Sequence, residues 1–250
     1  MIYYIVPKHS EKICEEYISQ YVDPGRTVYI QDSLERRSMM KKYNDGIRFL
    51  EYQHHLDDDD IIVFVHEDVK LMDPYFETKI INHFRNNPKL GVAGIYGTVA
   101  YNGGGWWNYD RELNARGHII QAGPDGMGSF PMVEHRGNHF DIVTADGCML
   151  AVKYARLKQG KFREEWEGFH HYDNSFCIDT LIHTDFDVGV LDITIYHASI
   201  GEINKGWHEG SKYLMKHYSD LGLTFPITKV GVLAWKRSIN IKNEIDNMET

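Results

Sequence analysis

An α/β layer fold with parallel strands is the architecture this chain predicts, and three observations lead there. Short apolar runs alternate with amphipathic helical stretches from the start to residue 96, the pattern of successive strand–helix–strand units. Turn signals punctuate the alternation at Asp23-Pro24-Gly25, at the acidic stretch 57–60 and at Asp73-Pro74. Hydrophobic residues make up 42% of the 250 residues, enough to build the core such a sheet needs and to exclude disorder as the main state.

Residues 2–6 are a compact apolar run ending at Pro7, read as a buried strand. Ser10 is placed to cap a helix that carries Ile13, Tyr17, Ile18 and Tyr21 on one face. Thr27–Gln31 is a second strand, and a long helix over 33–54 has the stripe Met40, Tyr43, Ile47 and Leu50. Ile61–Val65 is a third strand, apolar on both faces. Asp73-Pro74 reads as an N-cap with a first-turn proline, starting a helix that ends before Pro88, and 90–96 is a fourth strand. The pattern then changes. Residues 97–139 are rich in Gly, Trp, Asn and His without a sustained period, and so long an irregular stretch belongs to binding. Strands are expected at 141–152 and 188–196, helices at 173–184 and 205–218, and a weakly patterned tail after Phe225. No repeat or composition break divides the chain, which predicts one domain over 1–250.

Composition narrows the function. With 27 basic and 36 acidic residues the net charge is −9, which disfavours a nucleic-acid partner. No purely apolar run, Ile61–Val65 included, is long enough to cross a bilayer, and no leader pattern is expected at the start. Cys14, Cys148 and Cys177 are scattered and odd in number, as in a reducing compartment; the expected setting is cytoplasmic, with peripheral docking at a membrane left open. Gly103-Gly104-Gly105 lacks the Lys-Ser/Thr of a phosphate loop. Pro7-Lys8-His9-Ser10 lacks the Gly-rich basic loop expected of a sugar nucleotidyltransferase.

The chemistry is sought beyond the carboxyl ends of the strands. There, after Ile61–Val65, stands His66-Glu67-Asp68-Val69. A carboxylate at this mouth can hold a divalent cation against a diphosphate; the plainer alternative is that Asp68 caps a turn and His66 is a surface histidine. Other segments stand in register with this one. They are Ser38 with Tyr43-Asn44-Asp45-Gly46-Ile47, Gly91-Val92-Ala93-Gly94 with Trp106-Trp107, and Asp146-Gly147-Cys148-Met149-Leu150-Ala151. Further along stand Phe162 with Gly168-Phe169-His170-His171-Tyr172-Asp173, then Val188-Gly189-Val190, then His197-Ala198-Ser199-Ile200-Gly201. In order and spacing, over about residues 38–215, the set resembles the family 2-like glycosyltransferases, in the subgroup with a His-x-Asp-Val form of the Asp-x-Asp motif.

The resemblance implies a GT-A fold, with a nucleotide-sugar-binding half (1–96), an acceptor-facing half (97–220) and a C-terminal extension (221–250). It implies transfer of a sugar from a nucleotide diphosphate donor, usually UDP-linked, to a hydroxyl of a glycan or other acceptor. A divalent cation, Mn²⁺ or Mg²⁺, assists, and the anomeric centre inverts. The metal ligands implied are Asp68 and His197, and the general base is Asp173, for which a helix N-cap is the competing role. Glu164 and Glu165 are the reserve carboxylates. Donor contacts fall on Pro7, Asp32, Asn44, His66, Glu67, Asp146 and Gly147, the glycine allowing close backbone approach to the donor sugar. Acceptor contacts fall on Trp106, Trp107, His171 and Tyr172, with plugging of the core as the alternative for the two tryptophans. His66 stands in place of the usual first aspartate, which motivates a second reading: a non-catalytic carbohydrate- or nucleotide-binding protein on a degenerate scaffold.

Overall fold

A computed structural model describes residues 1–31, 38–103, 111–123, 128–166, 168–199, 201 and 203–248. Strand β1 (Ile2–Lys8) is buried over its first five residues. Ser10 caps α1 (Glu11–Glu16), its hydroxyl accepting from Ile13 N at 3.3 Å. β2 (Thr27–Gln31) comes after a turn closed by Asp23. Ser38 caps α2 (Met39–Gln53), whose stripe Met40, Tyr43, Ile47 and Leu50 is fully buried. The expected first turns of this helix lie outside the described residues. β3 (Ile61–Val65) is buried at every position and leads through the turn 66–68 to β4 (Val69–Leu71).

The next helix starts later than expected: α3 is Phe76–Asn86, and Asp73 instead closes the preceding turn by accepting from Tyr75 N at 2.9 Å. The single strand expected at 90–96 is two, β5 (Leu90–Gly94) and β6 (Tyr96–Thr98), in different sheets. The stretch 97–139 is more regular than expected. It holds β7 (Ala100–Tyr101), the short α4 (Arg111–Asn114), β8 (Ala115–Ala122) and β9 (Ser129–Glu134). The strand expected at 141–152 divides into β10 (Thr144–Ala145) and β11 (Met149–Lys153) around a bend in which Asp146 Oδ1 accepts from Cys148 N at 2.8 Å. After α5 (Tyr154–Leu157) and α6 (Tyr172–His183), the strand expected at 188–196 also divides, into β12 (Asp187–Val190) and β13 (Ile195–His197). α7 (Lys205–Asp220) and β14 (Ile227–Thr228) lead to α8 (Lys229–Met248), a helix where only a weakly patterned tail was expected.

The main sheet has the order β12-β5-β11-β3-β1-β2. It is mixed: β1 runs parallel to β2 and β3, and β12 parallel to β5, but β11 is antiparallel to both of its neighbours. A second sheet, β10-β6-β8-β13-β4, carries β9 on β8. Alternate residues of β3 serve two cores. Ile62 and Phe64 pack with the stripe of α2 and with Phe176 and Ile178 of α6. Ile61, Val63 and Val65 pack with α3 and the second sheet. Gly46 lets α2 settle on β1, since a Cβ there would lie 2.6 Å from Ile5 Cγ2. The reversed strand β11 gathers polar groups at one place. Because Met149 pairs with Val65, the residues entering β11 lie at the same sheet edge as those leaving β3. Among the described residues no helix is long and apolar enough to cross a membrane.

Candidate active site

Three strand ends meet at that edge. His66 leaves β3 and is anchored by its N–H to the Cys148 carbonyl at 3.0 Å. Asp68 immediately precedes β4, which pairs antiparallel with β13 so that Val69 faces His197. The Ala198 N–H donates to the Asp68 carbonyl at 3.1 Å and closes the pairing. The ladder thus sets Asp68 beside His197, with Nε2 3.5 Å from Oδ1. One ligand atom each from His66, Asp68 and His197 lie within 4.8 Å of one another, a spacing that a single cation can bridge. The donor set is two imidazoles and one carboxylate, which fits Mn²⁺ better than the oxygen-demanding Mg²⁺.

The electrostatics suit a cation. Burial alone would raise the Asp68 pKa, but the imidazoles of His197 and His66 and the Ser199 hydroxyl hold it well below the usual carboxylate range. Burial, reinforced by His197, pushes His66 down to about 4, so its ring is neutral near pH 7. Burial would also lower His197, yet its contact with Asp68 prevails and holds it above its ordinary value. Ser199 Oγ lies 3.2 Å from His197 Nε2, and the Gln121 amide of β8 lies 3.2 Å from Nδ1, contacts that fix the orientation of the ring.

Asp173 sits in the first turn of α6. It is not the cap: His171 holds that position with φ 63°, in the left-handed region, and makes no side-chain cap bond. The Asp173 carboxylate accepts from Gly147 N at 2.9 Å and from Asn174 N at 2.8 Å. Burial, with the nearby Asp146 carboxylate, raises its pKa to about 7 despite these backbone donors. A carboxyl tuned to that range is suited to take up and release a proton near neutrality.

All of these groups line one cleft of about 760 Å³. Asp68, Asp173 and His197 are on its wall together with Pro7, His66, Glu67, Asp146 and Gly147, and with His171 and Tyr172. Several details differ from expectation. Asn44 does not reach the cleft: it is buried, its amide donating to the Phe162 carbonyl at 2.8 Å and to Glu164 at 2.7 Å, and its oxygen accepting from Phe162 N. Glu164 is thereby tied to α2. The Glu67 carboxylate turns to the backbone N–H groups of His9 and Ser10, at 2.9 and 3.0 Å, and braces the end of β1. Gly147 makes room first for a protein ring, because a Cβ there would lie 2.2 Å from the Tyr172 hydroxyl. His171 is buried with its Nε2 2.9 Å from the Trp207 carbonyl. Asp32, Trp106 and Trp107 lie outside the described residues.

The structure adds groups that sequence reasoning passed over. Lys42 of α2 is 6% exposed and lines the cleft. Its signal was a charge three residues after Met39, inside the buried stripe. Gln121, Phe130 and Met132 reach the cleft from the β8–β9 hairpin, where no periodicity announced them.

Known proteins share this architecture. The model of a family described as a glycosyltransferase-like family matches residues 3–218. No curated protein matches the chain. Among solved structures, GalNAc-T7 with UDP, GalNAc and Mn²⁺ aligns with a TM-score of 0.52 at 6% identity, over 79% of this chain and 43% of that one. The mannosyltransferase PcManGT from Pyrobaculum calidifontis, in complex with GDP-Man and Mn²⁺, aligns with a TM-score of 0.48 at 12% identity, over 88% and 63%. A197 from STIV aligns with a TM-score of 0.44 at 12% identity, over 81% and 85%. The chain therefore spans less than half of the GalNAc-T7 chain.

Proposed function

Because the chain belongs to the glycosyltransferase-like family and has the GT-A fold, we propose that it transfers a sugar from a nucleotide diphosphate donor to an acceptor hydroxyl, with inversion. The observation that carries this reading is the meeting of His66, Asp68 and His197 with Asp173 in one cleft. His66, Asp68 and His197 would hold the cation, in the His-x-Asp-Val form of the motif, and Mn²⁺ is the ion their chemistry favours. When bound, such an ion supplies Lewis-acid stabilisation of the negative charge that develops on the departing diphosphate.

The chain's own residues do the rest. Lys42 places a buried ammonium on the same wall, where it attracts the diphosphate. On this reading Pro7 is assigned to the nucleotide base and ribose and Asp146 with Gly147 to the donor sugar, and Asp32, outside the described residues, is assigned with Pro7. Asp173 takes the acceptor's proton as the new bond forms, from the face opposite the leaving group. His171 and Tyr172 are assigned to the acceptor side, as are Trp106 and Trp107, which lie outside the described residues. The donor half is 1–96, the acceptor half 97–220, and 221–250 is an extension. UDP is the nucleotide we favour, supported by the likeness to a UDP-bound structure. Three free, buried cysteines fit a cytoplasmic setting.

Donor hydrolysis measured with a panel of UDP- and GDP-sugars and Mn²⁺ tests the reading. Turnover that Asp68→Ala abolishes is the expected result. Binding of nucleotide or sugar without turnover by the wild type would favour the non-catalytic alternative, and absence of nucleoside diphosphate binding at millimolar concentration would overturn the transferase reading.

A further inference from the structure

We infer that Tyr172 is a positioning residue that decides which ring nitrogen of His66 can bind a cation; this rests on the reading of His66, Asp68 and His197 as the cation site. The count of available protons decides it. The Tyr172 hydroxyl has one proton and, among the described residues, two hydrogen-bond neighbours. The Gly147 carbonyl, 2.9 Å away, can only accept, so the hydroxyl donates to it. His66 Nε2 lies 2.7 Å from the same hydroxyl oxygen. With the hydroxyl proton committed to Gly147, that nitrogen must bring its own. His66 is then the Nε2–H tautomer, and its lone pair is on Nδ1. A neutral imidazole ligates only through the nitrogen that carries no proton, so Nδ1 is the ligating atom. The opposite assignment, with Tyr172 donating to His66, would turn oxygen lone pairs toward each other at 2.9 Å across the Gly147 contact.

The packing holds this arrangement still. Tyr172 is 4% exposed and lies against Tyr43 and Phe162. The Tyr43 hydroxyl is near enough to interact with Tyr172 but makes no hydrogen bond of ordinary geometry among the described residues; with the Tyr172 proton on Gly147 it could only donate to the Tyr172 oxygen, which leaves the count unchanged. Gly147 leaves a space for the Tyr172 hydroxyl that any Cβ would occupy. The same glycine donates its N–H to Asp173, so a single residue joins the tyrosine that orients His66 to the carboxylate proposed as base. Groups that fix the far nitrogen of a ligating imidazole commonly contribute about 10- to 100-fold to metal affinity.

Side-chain ¹⁵N–¹H NMR of the cation-free wild type near neutral pH reads the tautomer directly, without a mutant. The expected spectrum has His66 protonated on Nε2 and bare on Nδ1; protonation on Nδ1 overturns the inference. Mn²⁺ titration followed by electron paramagnetic resonance then compares the wild type with Tyr172→Phe and His66→Ala. Tyr172→Phe is expected to bind Mn²⁺ about 10- to 100-fold more weakly. If His66→Ala loses affinity while Tyr172→Phe stays within about twofold of wild type, the tyrosine inference alone fails. If His66→Ala binds Mn²⁺ as the wild type does, the cation-site reading fails and takes the inference with it.

Discussion

Asp173 is held between two opposing demands. As a base it must be ionised, yet burial and the Asp146 carboxylate raise its pKa to about 7. Its folded pKa lies above the ordinary carboxylate value, so its protonated form favours the folded state. That contribution is complete at pH below the ordinary carboxylate pKa and is lost as pH rises through about 7. Activity and stability therefore move in opposite directions over the same window. A plot of kcat against pH should rise along a limb centred near 7, and Asp173→Asn should remove that limb along with at least about 10²-fold of the rate. A flat profile in an active wild type would remove Asp173 from the role. Lys42 gives a separate expectation. Lys42→Met keeps the length and apolar stem of the side chain, so the fold should hold while KM for the donor rises and Mn²⁺ affinity does not fall, since the lost charge is one that His66 feels as repulsion, read by steady-state kinetics beside the metal titration.

Elements explain why some of the site was legible and some was not. His66 and Asp68 stood out because Ile61–Val65 is so plainly a buried strand that the residues after it must lie at a sheet edge. His197 was legible only through the segment His197-Ala198-Ser199-Ile200-Gly201 that carries the family resemblance, since a lone histidine at a strand end is more often structural. Asn44 misled because a helix gives every residue a face but not an address; this amide faces the segment at Phe162, which the sequence places 118 residues away. The β8–β9 hairpin hid because its strands break the usual rules. Gly117 adopts φ 100° in mid-strand, where a Cβ would lie 2.1 Å from the Ile95 carbonyl. Pro131 sits in β9, which is an edge strand and tolerates it. α8 hid because, of residues 229–240, only Val232 is buried, which leaves almost no stripe to read. At this scale Gly147→Ala is the informative change. The added methyl collides with the Tyr172 hydroxyl, so chemical denaturation should show a loss of about 1–3 kcal/mol. Cation affinity should fall in parallel, because the displaced ring also orients His66.

At the scale of the whole molecule, two sheets share one cleft, and ligands that occupy it should couple their stabilities. A donor nucleotide at about 100 times its Kd adds about 2.7 kcal/mol to the native state. For a domain of this size that corresponds to a rise in Tm of roughly 5–10 °C. UDP with Mn²⁺ should produce that shift, each alone should give less, and a chelator should return Tm to the value for nucleotide alone. Simple additivity of the two shifts would mean that nucleotide and ion occupy separate places. Outside the family match, which ends at residue 218, α8 is tied down by Trp235 Nε1 donating to the Leu221 carbonyl at 2.8 Å and by Lys236 on the Thr184 carbonyl at 2.7 Å.

The reversed strand β11 has one more effect, on how the protein is made. In the order β12-β5-β11-β3-β1-β2, β3 and β5 become joined only when β11 enters between them. While the ribosome has delivered fewer than about 150 residues, the nascent polypeptide therefore carries the β2-β1-β3 ladder with the edge of β3 bare and β5 without either of its partners, β11 and β12, a form prone to adhere to its neighbours. Residues 1–96 are for this reason no excisable module: a gene fragment stopping at residue 96 encodes a sheet with its keystone missing.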